Sequence, residues 1–140
     1  MIYSTNIQLT YKEKYYLKRI DKYFDTLDQQ KIDVMITIIE QKSKISLRLL
    51  DWFVTTYANQ YKINYNKANE EEFNVYDNYK LQLKLHGKTY FDPFRRSRKI
   101  DYMVETSIGQ MNFFKWAFNN DIIQYVENNI DMLLTLRNSK

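Results

Sequence analysis

Apolar residues recur at three- and four-residue intervals along much of this 140-residue chain, the pattern of helices that each bury one face. Tyr16, Leu17, Ile20, Tyr23, Phe24 and Leu27 make the first stripe. Thr10 and Glu13 stand before it at the spacing of a capping box, in which each side chain bonds the other residue's backbone amide. Asp28 is placed to cap a second helix with Ile32, Met35, Ile36 and Ile39 inward, although the β-branched run 34–39 also suits a strand. Ser43 then opens a third helix, from about residue 44 to 61. Its apolar residues, among them Leu49, Leu50, Trp52, Phe53, Val54 and Tyr57, run nearly all round, which predicts the central, surrounded helix of the fold.

The periodicity lapses over residues 62–72, which predicts a loop whose acids Glu70, Glu71 and Glu72 lead into a helix N-terminus. A helix from Phe73 to His86 follows, with Phe73, Tyr76 and Leu83 inward and Leu81 and Leu85 as further inward candidates. Gly87 supplies the left-handed stop. Residues 88–105 read either as two short strands about a turn at Asp92-Pro93 or as an irregular basic loop. Ser107 and Gln110 repeat the capping-box spacing before Met111, Phe114, Trp116, Ala117 and Phe118. Asn120 caps a last helix carrying Ile122, Ile123, Val126, Ile130, Leu133 and Leu134. With no repeat and no linker, the expectation is a mainly α, compact, single-domain helical bundle over residues 1–140. It would hold about five to six helices, with a short β-hairpin near residues 88–105 left open.

Composition narrows the chemistry. There is no cysteine and one histidine, His86, so disulfides, thiolate metal sites and histidine-rich zinc sites are excluded. No apolar run nears the roughly 20 residues that span a bilayer, and the first ten residues lack a leader pattern. A reducing, intracellular and non-secreted setting is therefore expected. Asn, Lys, Ile and Tyr are abundant while Gly, Pro and Ala are scarce, the bias of an AT-rich genome. Individual tyrosines and asparagines carry little functional weight on that account.

Charge changes the picture most. The formal net charge is +4, yet residues 80–99 hold Lys80, Lys84, Lys88, Arg95, Arg96, Arg98 and Lys99 against the single acid Asp92. A segment at +6 leaves the rest of the chain slightly acidic. Lys80, Lys84 and Lys88 recur every four residues, and helix geometry puts at least the first two on one face. Three of the chain's six arginines fall within residues 95–98, and the planar guanidinium matches a phosphate with two bonds. Tyr79, Tyr90, Phe91 and Phe94 accompany them. Tyr90 and the two phenylalanines are candidates to stack on unpaired bases, with Phe91 and Phe94 better suited to the core beside the turn. The alternative is a solvated face that pairs with acidic residues of the same chain or of a partner.

Other constellations are weaker. Glu40-x-Lys42, after Asp25, Asp28 and Asp33, echoes the carboxylate and Glu-x-Lys of metal-dependent nucleases, but the motif is short and needs a strand end. His86 has no nucleophile paired with it and reads as a helix cap that could assist a phosphate. The two glycines build neither a P-loop nor a dinucleotide turn. Neither a catalytic residue nor a cofactor nor a metal site is expected.

Three stretches carry a resemblance: Ile45 to Tyr57 (ISLRLLDWFVTTY), Tyr90 to Arg96 (YFDPFRR) and Ser107 to Ala117 (SIGQMNFFKWA). Together they resemble a family of small uncharacterised proteins of the nucleocytoplasmic large DNA viruses, giant viruses included, over about residues 32–132. The resemblance implies a viral protein acting in the cytoplasm of an infected cell, at the viral factory, or packed in the virion. It brings no catalytic residues. The expected function is sequence-independent nucleic-acid binding through phosphates at the 80–99 face, to DNA or RNA, without enzymatic activity or membrane contact. The alternative is a virion structural or interaction module that docks an acidic viral protein, and homo-oligomerisation stays open.

Overall fold

The computed structural model describes residues 8–139; the first seven residues, where the leader reading lay, and Lys140 fall outside the described part. Helix α1 (Tyr11–Thr26) starts where the sequence places it. Thr10 Oγ1 accepts from the Glu13 amide at 3.1 Å and Glu13 Oε1 accepts from the Thr10 amide at 2.9 Å. Its stripe Tyr16, Leu17, Ile20 and Phe24 is buried. Helix α2 (Gln29–Ile39) is capped by Asp28, whose carboxylate accepts from the Gln30 amide, so the β-branched run is helical. Ile32, Met35, Ile38 and Ile39 point inward, a spacing that Ile36 does not share.

Helix α3 begins at Leu47 rather than near residue 44, because Ser46 and not Ser43 caps it, accepting from the Leu49 amide. Ser43 instead bonds the Ile45 amide in the preceding turn. The helix passes from an α segment (Leu47–Trp52) through a π-helical turn (Phe53–Tyr57) to a final α turn (Ala58–Gln60). Each π turn adds a residue and rotates the following face, and here Phe53, Val54, Tyr57 and Ala58 all stay buried.

Residues 62–72 depart from expectation. They carry an antiparallel pair, β1 (Asn64–Asn66) and β2 (Glu72–Asn74), with Tyr65 opposite Phe73. Two aromatic residues on one face hold this pair, and Tyr65 also stacks on Tyr125, 5.3 Å between centroids. The acids therefore sit in a turn and a strand, not at a helix N-terminus. Helix α4 (Val75–His86) is capped by Asn74 and closed by Gly87, whose φ of +77° suits glycine. Leu81 and Leu85 face outward, 49% and 63% exposed, while Val75 and Tyr79 face in.

The chain then runs irregularly to a hairpin, β3 (Lys99–Tyr102) with β4 (Val104–Ser107), turning on Met103 at φ +66°. The hairpin lies after the Asp92-Pro93 turn and does not flank it. Helix α5 (Ile108–Asn119) buries Ile108, Gly109, Gln110, Met111, Phe113 and Phe114 in its first two turns and Trp116, Ala117 and Phe118 in its last. It, and not α3 alone, is the surrounded helix, packed on α1, on β4 and on α6. Ser107 caps it by accepting from the Gln110 amide, but the Gln110 side chain turns away to Thr106 and to the Pro93 carbonyl, so the second box is only half made. Asn120 ends α5 and does not cap the next helix. Two helices, α6 (Ile122–Asn128) and α7 (Ile130–Asn138), follow instead of one, broken at Asn129. The fold is mainly α: seven helices and two small antiparallel pairs among the described residues.

Candidate nucleic-acid interface

The segment carrying the seven cations is pinned to the N-terminus of α5. A Cβ on Gly109 would lie 2.7 Å from the Thr89 carbonyl oxygen, so only glycine lets residues 89–91 pass this closely. The Asp92 amide then bonds the Gly109 carbonyl at 3.2 Å, and Phe91 is buried against Phe113 and Trp116. Phe94 is half-buried, with the Arg96 guanidinium 4.9 Å from its ring centre.

All seven cations face outward, but they differ in what they meet. Arg96 grips the Asp92 carboxylate with two bonds, Nε to Oδ2 at 2.8 Å and Nη2 to Oδ1 at 2.9 Å. That carboxylate is 6% exposed, and Phe94's amide donates to it as well. Arg98 bonds Glu13 Oε1 at 2.8 Å and the Gln8 carbonyl at 3.2 Å. Glu13 is equally buried and is the same residue that closes the α1 capping box. Arg95 and Lys99 share Glu105, at 3.2 and 3.6 Å. Lys80 lies 5.5 Å from the Tyr76 ring centre. Lys84 and Lys88 meet no carboxylate within ion-pair distance among the described residues. Lys88 and Arg96 nonetheless act at longer range on Asp51, whose carboxyl burial pushes up and these two cations pull back.

Arg96 and Arg98 thus neutralise carboxylates that the fold has taken out of water. A buried acid left without its partner is costly, so these arginines are first of all struts. The exposed pairs to Glu105 are weak, with typical values near 0–1 kcal/mol. Sequence reading missed Glu13 and Glu105 because neither lies in the segment; Glu13 is 85 positions from Arg98.

A second positive region was not anticipated. Helices α1, α4 and α5 enclose a cleft of about 390 Å³. Arg19 and Lys115 stand on its walls with His86, and among the described residues no carboxylate lines it. A neighbouring depression of about 360 Å³ is lined by the same Arg19 and Lys115 and adds Lys22. His86 Nδ1 meets Tyr16 Oη at 2.9 Å, and Nε2 meets Gln82 Oε1 at 3.2 Å. A neutral ring protonated on Nε2 satisfies both bonds. Burial, and after it Lys115, Lys12 and Arg19, hold the His86 pKa below the ordinary value of 6.5. Burial and then Arg19 likewise lower Lys115 from 10.5. Asn78 Oδ1 accepts from Trp116 Nε1 at 2.7 Å, and Asn112 Nδ2 donates to the Tyr90 carbonyl at 2.9 Å. Arg19, Lys115 and His86 come from three elements, and no short motif links them; the spacing of Arg19 on the solvent side of α1 was the only sequence signal.

Glu40 and Lys42 end a helix, not a strand, and form an exposed pair at 3.7 Å, so the nuclease-like arrangement is not built there. Among the described residues no group of three or more acidic, histidine or cysteine side chains could hold a metal ion. No described helix is long and apolar enough to cross a membrane.

The architecture defines a small, mainly α protein that carries two cationic regions. Comparison with known proteins agrees with the viral resemblance. Residues 2–138 match the model of a family of unknown function, DUF7197, and the chain belongs to that family. It is also 42% identical over 136 residues to an uncharacterised protein of Acanthamoeba polyphaga mimivirus, covering 87% of this chain and 52% of that relative. The chain thus spans about half the length of the curated relative it matches. No solved structure matches.

Proposed function

We propose that this viral-family protein binds nucleic acid, DNA or RNA, through backbone phosphates, with no sequence preference and no chemistry performed on the strand. The observation that supports the reading is that Lys80 and Lys84 on α4, and Lys88 just past its Gly87 stop, are exposed and without an ion-pair partner among the described residues. Arg95 and Lys99 are further candidates, because the two share a single carboxylate and a phosphate can exchange into so weak a surface pair. Arg96 and Arg98 hold the loop in place and lend what charge their buried partners leave over.

Fluorescence anisotropy with single- and double-stranded DNA and RNA at two salt concentrations tests this. Affinity should fall steeply with salt and be indifferent to sequence. Replacing Lys80, Lys84 and Lys88 together by Gln should flatten the log–log salt slope by about 2 to 3, since each phosphate contact contributes about 0.9. Absence of binding to all four probes at low salt would refute the function.

A second reading has its own observation. Leu81 and Leu85 are exposed between those lysines, and a face mixing apolar and basic residues suits an acidic protein surface better than a bare phosphate backbone. Such a face fits an interaction module in a virion or a viral assembly. Replacing both leucines by Ser would then weaken capture of the acidic viral protein partner while leaving nucleic-acid affinity unchanged.

A further inference from the structure

The cleft between α1, α4 and α5 presents a problem of its own. Arg19 and Lys115 both line a partly enclosed space, and among the described residues no carboxylate lines it to balance them. Elsewhere on the molecule Arg95, Arg96, Arg98, Lys99 and Lys67 each meet a carboxylate of the same chain. Lys115 is half-buried and Arg19 is exposed at the rim; like charges lining one cleft without a counter-charge repel, and a bound anion removes that cost. The polar groups around them point the same way. Asn78 and Gln82 spend their carbonyl oxygens on Trp116 and His86, which leaves their amide nitrogens as donors toward the cleft. His86 adds a ring that can take a second proton once an anion arrives.

We infer that this cleft is a phosphate-binding site, in which Arg19 and Lys115 hold a phosphate group carried by a nucleotide. The volume exceeds what a phosphate alone occupies and falls in the range of small-molecule sites, which leaves room for the attached nucleoside. Arg19 lies 5.5 Å from the ring centre of Tyr15, an exposed aromatic at the rim against which a base can rest. The phosphate comes either from a free nucleotide or from the end of a strand. None of the seven cations of residues 80–99 lines the cleft, so it and the basic face can succeed or fail separately.

Isothermal titration of the full chain with inorganic phosphate, AMP and an eight-nucleotide strand with and without a 5′-phosphate tests the site and separates the sources. AMP should bind at least tenfold more tightly than inorganic phosphate. A strand end is the source if the 5′-phosphorylated strand gains a further tenfold over its unphosphorylated form; a free nucleotide is the source if it does not. Arg19→Gln and Lys115→Gln should each lose tenfold or more in AMP affinity, with Arg19→Lys recovering part of it, while both retain wild-type circular dichroism. The Lys80, Lys84 and Lys88 triple variant should bind AMP as wild type does. The site is refuted if wild-type protein binds neither phosphate nor AMP, or if both cleft variants bind AMP unchanged. Nucleic-acid binding that survives in the cleft variants but vanishes in the triple variant would sustain the basic face alone.

Discussion

Residues 92–105 and the α1–α4–α5 cleft use the same kinds of cationic side chain to opposite ends. In the first, Arg95, Arg96, Arg98 and Lys99 lie close in sequence, yet each meets a carboxylate, two of them buried. In the second, Arg19, His86 and Lys115 are scattered over nearly a hundred residues and converge on a cleft that no carboxylate of the described residues lines. Density of charge along a chain therefore says little about free charge in space. An arginine that compensates a buried acid belongs to the fold, whereas a cation without a counter-charge is available to a ligand.

The largest effect that can break this contrast is on stability. Arg96→Ala strands the Asp92 carboxylate and Arg98→Ala strands Glu13, and each should cost about 1–3 kcal/mol in urea unfolding. Arg96→Lys should recover only part of it, because an ammonium cannot make both bonds. Lys115→Gln should cost nothing. If Arg96→Ala unfolds at wild-type urea concentration, the strut reading is wrong. Gly109→Ala is expected to cost a similar 1–3 kcal/mol through overpacking against Thr89, and to displace the basic segment with it.

Smaller effects sharpen the comparison. Relief of repulsion should make Lys115→Gln slightly more stable than wild type at low salt, by about 0.5 kcal/mol or less, and the gain should vanish in high salt. His86 supplies a pH signature. Its folded pKa lies below the unfolded value of 6.5, so the unfolded chain takes up the proton first. Stability should accordingly fall as pH drops from about 6.5 toward the folded pKa, and His86→Gln should remove that part of the decline. An identical pH dependence in the variant would show that His86 is not held neutral by its surroundings.

What the sequence revealed followed contact range. The Thr10–Glu13 box, the Asp28 cap and the Gly87 stop depend on neighbours within four positions and were legible. So was the mainly α class, because stripes on α1 and α5 repeat at helical spacing. The β1–β2 pair was not, since its support includes Tyr65 stacking on Tyr125, sixty positions away. Ser43 and Ser46 are equally good caps by type, and packing chose between them. Leu81 and Leu85 fit a helical stripe yet face out, because α4 buries Val75 and Tyr79 instead, the latter against Phe91 and Trp116. The seven cations named from the sequence are exposed, but their counter-charges were invisible, and so was the cleft.

His86 is the single histidine of the chain and reports directly on the cleft, where it faces Lys12, Tyr16 and Arg19 of α1, Gln82 of α4 and Lys115 of α5. Its ring resonances followed by NMR through a pH titration, with and without AMP, measure whether the surrounding positive charge is free. The pKa should lie below 6.5 in the unliganded protein, rise on saturable addition of AMP, and rise without AMP in Lys115→Gln. A ring that titrates at its ordinary value, unmoved by AMP and by loss of Lys115, would contradict the unpaired charge on which this reading of the molecule stands.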